Sequence, residues 1–395
     1  MYEAQERGKF IINGLKLACV LEGSNVEDIS YEVEHVKMHD VLRDMAHWLA
    51  REHRNEILVK KHTGLIKSQE IGRWKDALKV SLYGDSTQFL IETPVVCQRL
   101  QPIFVMGSKL KTLSGTLFQS IHTLTVLNLS NNNYLRKLPV EIDALISLRY
   151  LNLSKTYVSK SPIEEKSLTQ LRILLLDEMR NHVVIPPGVI SSLLSLEMYS
   201  SFSMIDAKCS ELECLEKLTD VSLNFSNVNS VLKFMFSPKL QNCITRLSIF
   251  ECEELRSLDI SCYLEQLHIR FCRNLRKVKI CFENVERMQR SELNCFRYLQ
   301  ILNILRCAIM ENLSWLRYTP RLLILYVIEC ESLEEIIACD FAGSSEIEED
   351  VEILSNLEQV HFDDLPKLKS ICRRAMPFPS LREIKYQTEK LEVVV

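Results

Sequence analysis

Residues 124–153 read LTVLNLSNNNYLRKLPVEIDALISLRYLNL, and one phrase occurs in them twice. Leu124, Leu127 and Leu129 are followed by Asn132, Leu135 and Leu138; Leu148, Leu151 and Leu153 restart the series 24 residues later. Apolar residues at alternate positions place Leu127 and Leu129 on one face of a short strand, and the fixed period brings the chain back to lay down another. One such coil cannot bury its own leucines, so it is stable only when stacked on neighbours of the same plan.

The phrase continues outward in both directions. First strand positions fall at Leu124, Leu148, Leu171, Leu193, Leu218, Ile244, Leu264, Leu299, Leu322, Leu357 and Leu381, preceded by Val80 with Leu82 and by Leu100, Ile103 and Val105. Most intervals lie in the roughly 20–29-residue range of leucine-rich repeats. The two intervals of 35 residues mark insertions. The expected fold class is α/β: a leucine-rich-repeat solenoid, whose curved parallel sheet is lined by the aliphatic triplets.

Bulk properties narrow the function. Hydrophobic residues make up 47% and charged residues 25%, the values of a soluble folded protein. A formal net charge of -4 gives no electrostatic footprint for nucleic acid or for a membrane. No apolar run approaches the roughly 20 residues of a spanning helix, and the opening MYEAQERGKF is polar where a secretion signal is apolar. These features predict a cytoplasmic location, with peripheral attachment to the plasma membrane left open.

The 14 cysteines have no tight clustering. Cys252, Cys272, Cys307 and Cys330 each fall three residues after the last apolar strand residue, the slot that Asn132 fills in the opening repeat. A packed thiol is the expected role. Zinc held by Cys252, Cys262, Cys272 and Cys281 is the sharper alternative, but no C-x-x-C occurs and no metal site is predicted. Asn-x-Ser at Asn128, Asn152, Asn224 and Asn312 arises from phrases such as LNLS.

Ahead of the repeats the periodicity changes. Residues 3–21 place Ile11, Leu15 and Ala18 on one helical stripe, and residues 22–35 are acidic and polar, as suits an exposed hairpin. Val36-Lys37-Met38-His39-Asp40 then leads into VLRDMAHWLAREH, where Leu42, Met45 and Leu49 share one face of an amphipathic helix. Helix, acidic wing, short strand and helix form the latter part of a winged-helix domain.

The phrase VKMHDVLRDMAHWLA resembles the MHD segment of plant nucleotide-binding leucine-rich-repeat (NB-ARC) disease resistance proteins of the coiled-coil class, and GKFIINGLKLACVLEG resembles the helix leading into it. That resemblance implies a chain starting inside the winged helix, with residues 1–75 its C-terminal part and connector and residues 76–395 the leucine-rich-repeat domain. It implies for His39 a contact with the phosphates of ADP, for Asp40 a role in holding the resting arrangement, and for Met38 packing. The Gly-rich loop ending in Gly-Lys-Ser/Thr that cradles phosphates is absent from the sequence. No cofactor is therefore expected in this chain; ADP or ATP belongs to a full-length receptor. The acidic wing, Glu27, Asp28, Glu32 and Glu34, speaks against DNA contact by the winged helix.

In L-x-x-L-x-L the residue between the last two apolar positions faces the concave side. That column reads Asn128, Asn152, Leu175, Glu197, Ser222, Ser248, His268, Asn303, Tyr326, His361 and Lys385. His268 and Arg270, then Leu305, Tyr326 and Ile328, then His361, lie on successive strands and form the candidate partner surface. Burial under an insertion, or a different register, is the competing reading of these six residues. The insertion with Asp340, Glu346, Glu348, Glu349, Asp350 and Glu352 reads either as a solvated loop or as an electrostatic partner site.

No nucleophile and base constellation is evident, so the chain is expected to be non-enzymatic. The predicted function is that of a plant-defence receptor fragment: repeats that recognise a pathogen effector or a guarded host protein and autoinhibit a nucleotide switch. Its other predicted partner is the missing nucleotide-binding module. A free-standing repeat adaptor, such as a ubiquitin-ligase substrate receptor, is the alternative, and would carry an F-box-like module where the MHD phrase stands.

Overall fold

In a computed structural model the described residues are 2–18, 20–24, 35–52, 57–61, 75–84, 89–90, 97–159, 167–181, 183, 185–202, 208–260, 263–280, 296, 298–337, 354–372 and 377–387. The acidic wing, both Cys262 and Cys281, and the acidic insertion 340–352 lie outside them. The chain divides into two compact units, Met1–Leu151 and Asn152–Val395.

The first unit opens with a helix, Tyr2–Leu17, followed by an antiparallel pair, Leu21–Ser24 and His35–Met38, and a second helix, Asp40–Glu52. That is the order of elements that the sequence predicts. Asp40 stands in the first turn of the second helix, where a carboxylate meets the positive end of the helix dipole. Strand Ile57–Lys61 then pairs in parallel with Lys79–Gly84, which pairs with Pro102–Ser108, which pairs with Val126–Asn128. Ile57–Lys61 thus hydrogen-bonds to the first repeat strand although it precedes residue 76. Ala77, Val80, Leu82, Ile103, Val105, Leu127 and Leu129 are buried beneath these strands.

The second unit continues in parallel order through Ile173–Leu175, Met198–Ser200, Asp220–Phe225, Ile244–Phe250 and Gln266–Arg270, then Ile301–Leu305, Ile324–Ile328, Gln359–Asp363 and Glu383–Gln387. Parallel pairing follows from the repeat, since every coil delivers its strand in the same direction. Leu302, Ile304, Leu325 and Val327 are at most 1% exposed, so the aliphatic triplets form the core as predicted. Each such side chain contributes roughly 1.5–3 kcal/mol of burial.

Eight coils leave their strands through a left-handed residue that is not glycine. Asn131, Lys155, Glu178, Glu251, Phe271, Arg306, Glu329 and Asp364 all have φ between 46° and 60°. Such a conformation costs on the order of 1 kcal/mol per non-glycine residue. The strain is offset by a bond to the next coil: the N–H groups of Lys155, Glu251, Phe271, Arg306 and Glu329 donate to Asp177, Arg270, Leu305, Ile328 and Asp363 carbonyls at 2.8–3.0 Å.

The residue after that turn is the slot noted in the sequence. Asn132 donates from Nδ2 to the Val105 and Leu129 carbonyls, both at 2.7 Å, and accepts from the Ser108 N–H. Thr156 donates to the Leu153 carbonyl at 2.8 Å. Cys252, Cys272, Cys307 and Cys330 are all buried there, each thiol pointing its weak donor at a backbone carbonyl. Burial pushes Cys272 and Cys330 up to about 11, so these thiols stay protonated and unreactive. Among the described residues no group of three His, Cys, Asp or Glu side chains is arranged to hold a metal.

The register departs from the sequence reading in two places. Leu196, not Leu193, is the first position of its coil, because Leu174 pairs with Tyr199 and Leu175 with Ser200. The coil reads Leu196, Tyr199, Ser201 inward, all buried, and the leucine at 193 instead closes the short turn Ile190–Ser192. Ser200 therefore replaces Glu197 in the outward column. A bulge between Val221 and Ser222 then shifts the next strand, so that Ser222 lies beside Arg246 and Asn224 beside Ser248. From Ser248 onward the column His268, Asn303, Tyr326, His361, Lys385 stands as predicted.

Candidate recognition surface

The sheet of the second unit buries one face and turns the other outward. Its strands from 173 to 270 carry small and polar residues on the outward face, and an arginine runs across them. Arg246 donates from Nε to the Ser222 hydroxyl at 2.8 Å, and from Nη2 to the Ser200 hydroxyl at 2.8 Å and the Asp177 carboxylate at 2.7 Å. The side chain spans three strands because parallel strands are only ~4.8 Å apart. Asp177 in turn accepts from the Ser200 hydroxyl and from the Phe202 N–H. The Arg246 guanidinium lies 5.2 Å from the Phe202 ring centroid. Nearby, Thr245 donates to Asp220 at 2.7 Å, while burial raises the Asp220 carboxyl above its usual range.

His268 belongs to this polar cluster, which corrects its expected place on an exposed surface. It is 2% exposed, with its ring edge-on to Phe202 at 5.0 Å and its Nδ1 accepting from Arg270 Nη2 at 2.9 Å. Burial first, then the charges of Arg270 and Arg246, lowers its pKa to about 3. The imidazole is thus neutral. Phe202, two residues beyond Ser200 and brought alongside by the corrected register, is what covers it.

The other five candidates are half-exposed and adjacent. Register pairs Arg270 with Leu305 and Leu305 with Ile328, and pairs Tyr326 with His361. The Tyr326 and His361 rings meet edge-on at 5.7 Å, and the Tyr326 hydroxyl lies 3.2 Å from Gln359 Oε1. One residue that the sequence reading missed, the half-buried Ile301, extends the apolar patch; its register neighbour Ile324 is buried, at 3% exposed. The signal was present in ILNIL and ILYVI.

At the other candidate motif, Met38 is half-buried at the end of its strand and His39 is exposed between strand and helix. His39 Nδ1 accepts from the Val41 N–H at 3.3 Å, and Asp40 pairs with Arg43 at 2.8 Å. The ring and the carboxylate therefore serve the first turn of the helix. Both helices of this segment carry bare apolar groups: Phe10, Leu17, Trp48 and Val41 are each more than half exposed.

Known proteins sharpen the picture. Residues 274–390 match the model for plant disease resistance protein RPS2-like leucine-rich repeats, and residues 98–158 match the general leucine-rich-repeat model. A probable disease resistance protein of Arabidopsis thaliana, At5g47260, is 30% identical over 95% of this chain and 40% of its own length. A second, At1g12290, is 31% identical over 97% of this chain and 43% of its own length. The disease resistance protein RPS5 of the same plant is 29% identical over 99% and 44%. Among solved structures, an internalin from Listeria monocytogenes is similar at 14% identity, with a TM-score of 0.47, over 80% of this chain and 89% of that one. The chain spans less than half the length of the plant relatives it matches. Over nearly its whole length it is similar to plant disease resistance proteins, and parts of it match leucine-rich-repeat models.

Proposed function

We propose that this chain is the recognition part of an intracellular plant-defence receptor, acting through protein contacts and without catalysis. The observation that carries the proposal is the apolar cluster Leu305, Tyr326 and Ile328, half-exposed on adjacent strands of the outward sheet face. Apolar groups framed by polar ones have the character of a protein contact. The partner is a pathogen effector or a guarded host protein. Among the described residues no helix is long and apolar enough to cross a membrane, which suits a cytoplasmic receptor.

The nucleotide switch of such a receptor lies in the part of the relatives' length that this chain does not span. Residues 1–75 form the winged-helix end of that switch, with Met38, His39 and Asp40 as its MHD motif. The bare apolar faces of helices Tyr2–Leu17 and Asp40–Glu52 are the surface against which the nucleotide-binding module packs, and the repeats hold that module at rest. ADP contacts His39 only in that assembly.

Proximity labelling in infected leaf tissue tests the recognition reading. Proteins labelled by the parent chain are expected to be lost with the double change Tyr326→Ala and Ile328→Ser and kept with Lys369→Ala, an exposed site away from the cluster. An unchanged labelled set in the double variant would remove the proposal.

A further inference from the structure

The sheet of the second unit carries three cations at outward strand positions, and two of them are answered within the molecule. Arg246 is paired with Asp177 at 2.7 Å and Lys385 with Glu383 at 2.8 Å. Just beyond the strands the same holds for Arg306, paired with Glu329, and for Arg382, paired with Glu358. Arg270 is different. Among the described residues it makes no ion pair, and its bond is to Nδ1 of His268.

A neutral acceptor orients a guanidinium without cancelling its charge. His268 is such an acceptor, because a buried ring flanked by Phe202 and two arginines is held unprotonated. The bond to Nδ1 also fixes one edge of the Arg270 fork, leaving the remaining N–H groups preorganised for a planar acceptor. The side chain is half-buried, so its charge is less screened than that of a fully solvated arginine. Directly beside it in register is Leu305, and beyond that Ile328, with Tyr326 next to both.

We propose that the partner of this surface presents a carboxylate to Arg270 next to an apolar side chain seated on Leu305, Tyr326 and Ile328. The ligand class is an acidic–apolar polypeptide segment, in which Asp or Glu is set a few residues from Leu, Ile, Phe or Trp. Arg270 supplies orientation and charge selection; the apolar cluster supplies the anchor. This inference rests on the reading of the outward face as the partner surface.

The probe is a random peptide library displayed on phage and selected on the whole chain, followed by titration of the selected peptides. Selected peptides are expected to be rich in Asp or Glu close to a large apolar residue. Their binding should weaken about tenfold with Arg270→Gln, recover in part with Arg270→Lys, and fall with added salt. The change Tyr326→Ala with Ile328→Ser should abolish it. Selected peptides that lose binding in the Tyr326/Ile328 variant but lack acidic enrichment, or ignore Arg270→Gln, would overturn the inference and leave the partner surface standing. Peptides indifferent to the Tyr326/Ile328 change, or no selected peptide at all, would overturn both. A circular-dichroism melt of each variant separates loss of binding from loss of fold.

Discussion

Two stretches of one sheet face, strands 173–270 and strands 301–363, solve the same problem in opposite ways. In the first, Arg246 gathers Asp177, Ser200 and Ser222, and Phe202 covers His268, so these groups find partners inside the molecule, and Arg270 at the edge of the stretch is the exception. In the second, Leu305, Tyr326, Ile328 and His361 stand half-exposed, with Tyr326 against His361 and Gln359. Both rest on the same buried aliphatic triplets. A face already satisfied within the molecule gains little from a partner, whereas an exposed apolar face gains by being covered.

Four changes would break or sharpen that contrast. Removing the shared foundation has the largest effect: Leu302→Ala, at a fully buried position, is expected to cost about 2–5 kcal/mol. A urea titration measures it, and a cost below about 1 kcal/mol would place Leu302 outside the core. Next, Arg246→Ala should cost about 1.5–3 kcal/mol by removing the cation that Asp177 and the Ser200 and Ser222 hydroxyls face, while leaving partner binding intact. Equal loss of binding and of stability would show that the polar stretch also meets the partner.

The third change is in pH. The folded-state pKa of His268 lies near 3, below its ordinary 6.5, so between those values the unfolded chain binds a proton that the folded chain refuses. Stability is therefore full above pH 6.5 and falls as pH is lowered, by about 2 kcal/mol from this group between pH 6.5 and 5. Replacing it, His268→Asn, should flatten the slope of stability against pH, and matching slopes for parent and variant would refute the buried neutral ring. The smallest effect on stability, under about 1 kcal/mol, is expected for Tyr326→Ala with Ile328→Ser, which should act on binding instead. A melt lowered as far as that of Leu302→Ala would mean these side chains belong to the core.

The repeat was legible because its period is written in leucine. Leu127, Leu151 and Leu302 could be assigned to the core by spacing alone, and so could the four slot cysteines. Where the period is carried by other residues, reading by leucine fails. Tyr199 and Ser201 take inward positions that an aliphatic pattern does not recognise, and the bulge at Val221 adds a residue with no sequence mark. Those two slips hid Asp177, Arg246 and Phe202, whose contact depends on register across 69 residues of chain. The left-handed turns were equally silent, since Lys155, Phe271 and Arg306 carry none of the glycine or asparagine preference of such positions. Of the six residues read as a candidate surface, five are half-exposed on neighbouring strands, and the buried one, His268, lies against a ring that approaches from a misplaced coil.

Hydroxyl-radical footprinting of the intact chain, read residue by residue by mass spectrometry, tests the division of the face most directly, because each half supplies a matched pair of side chains. Tyr326 should be oxidised much faster than Tyr199, and His361 much faster than His268, with Phe202 protected alongside the latter. Oxidation of His268 at the rate of His361, or protection of Tyr326 to the level of Tyr199, would contradict the account.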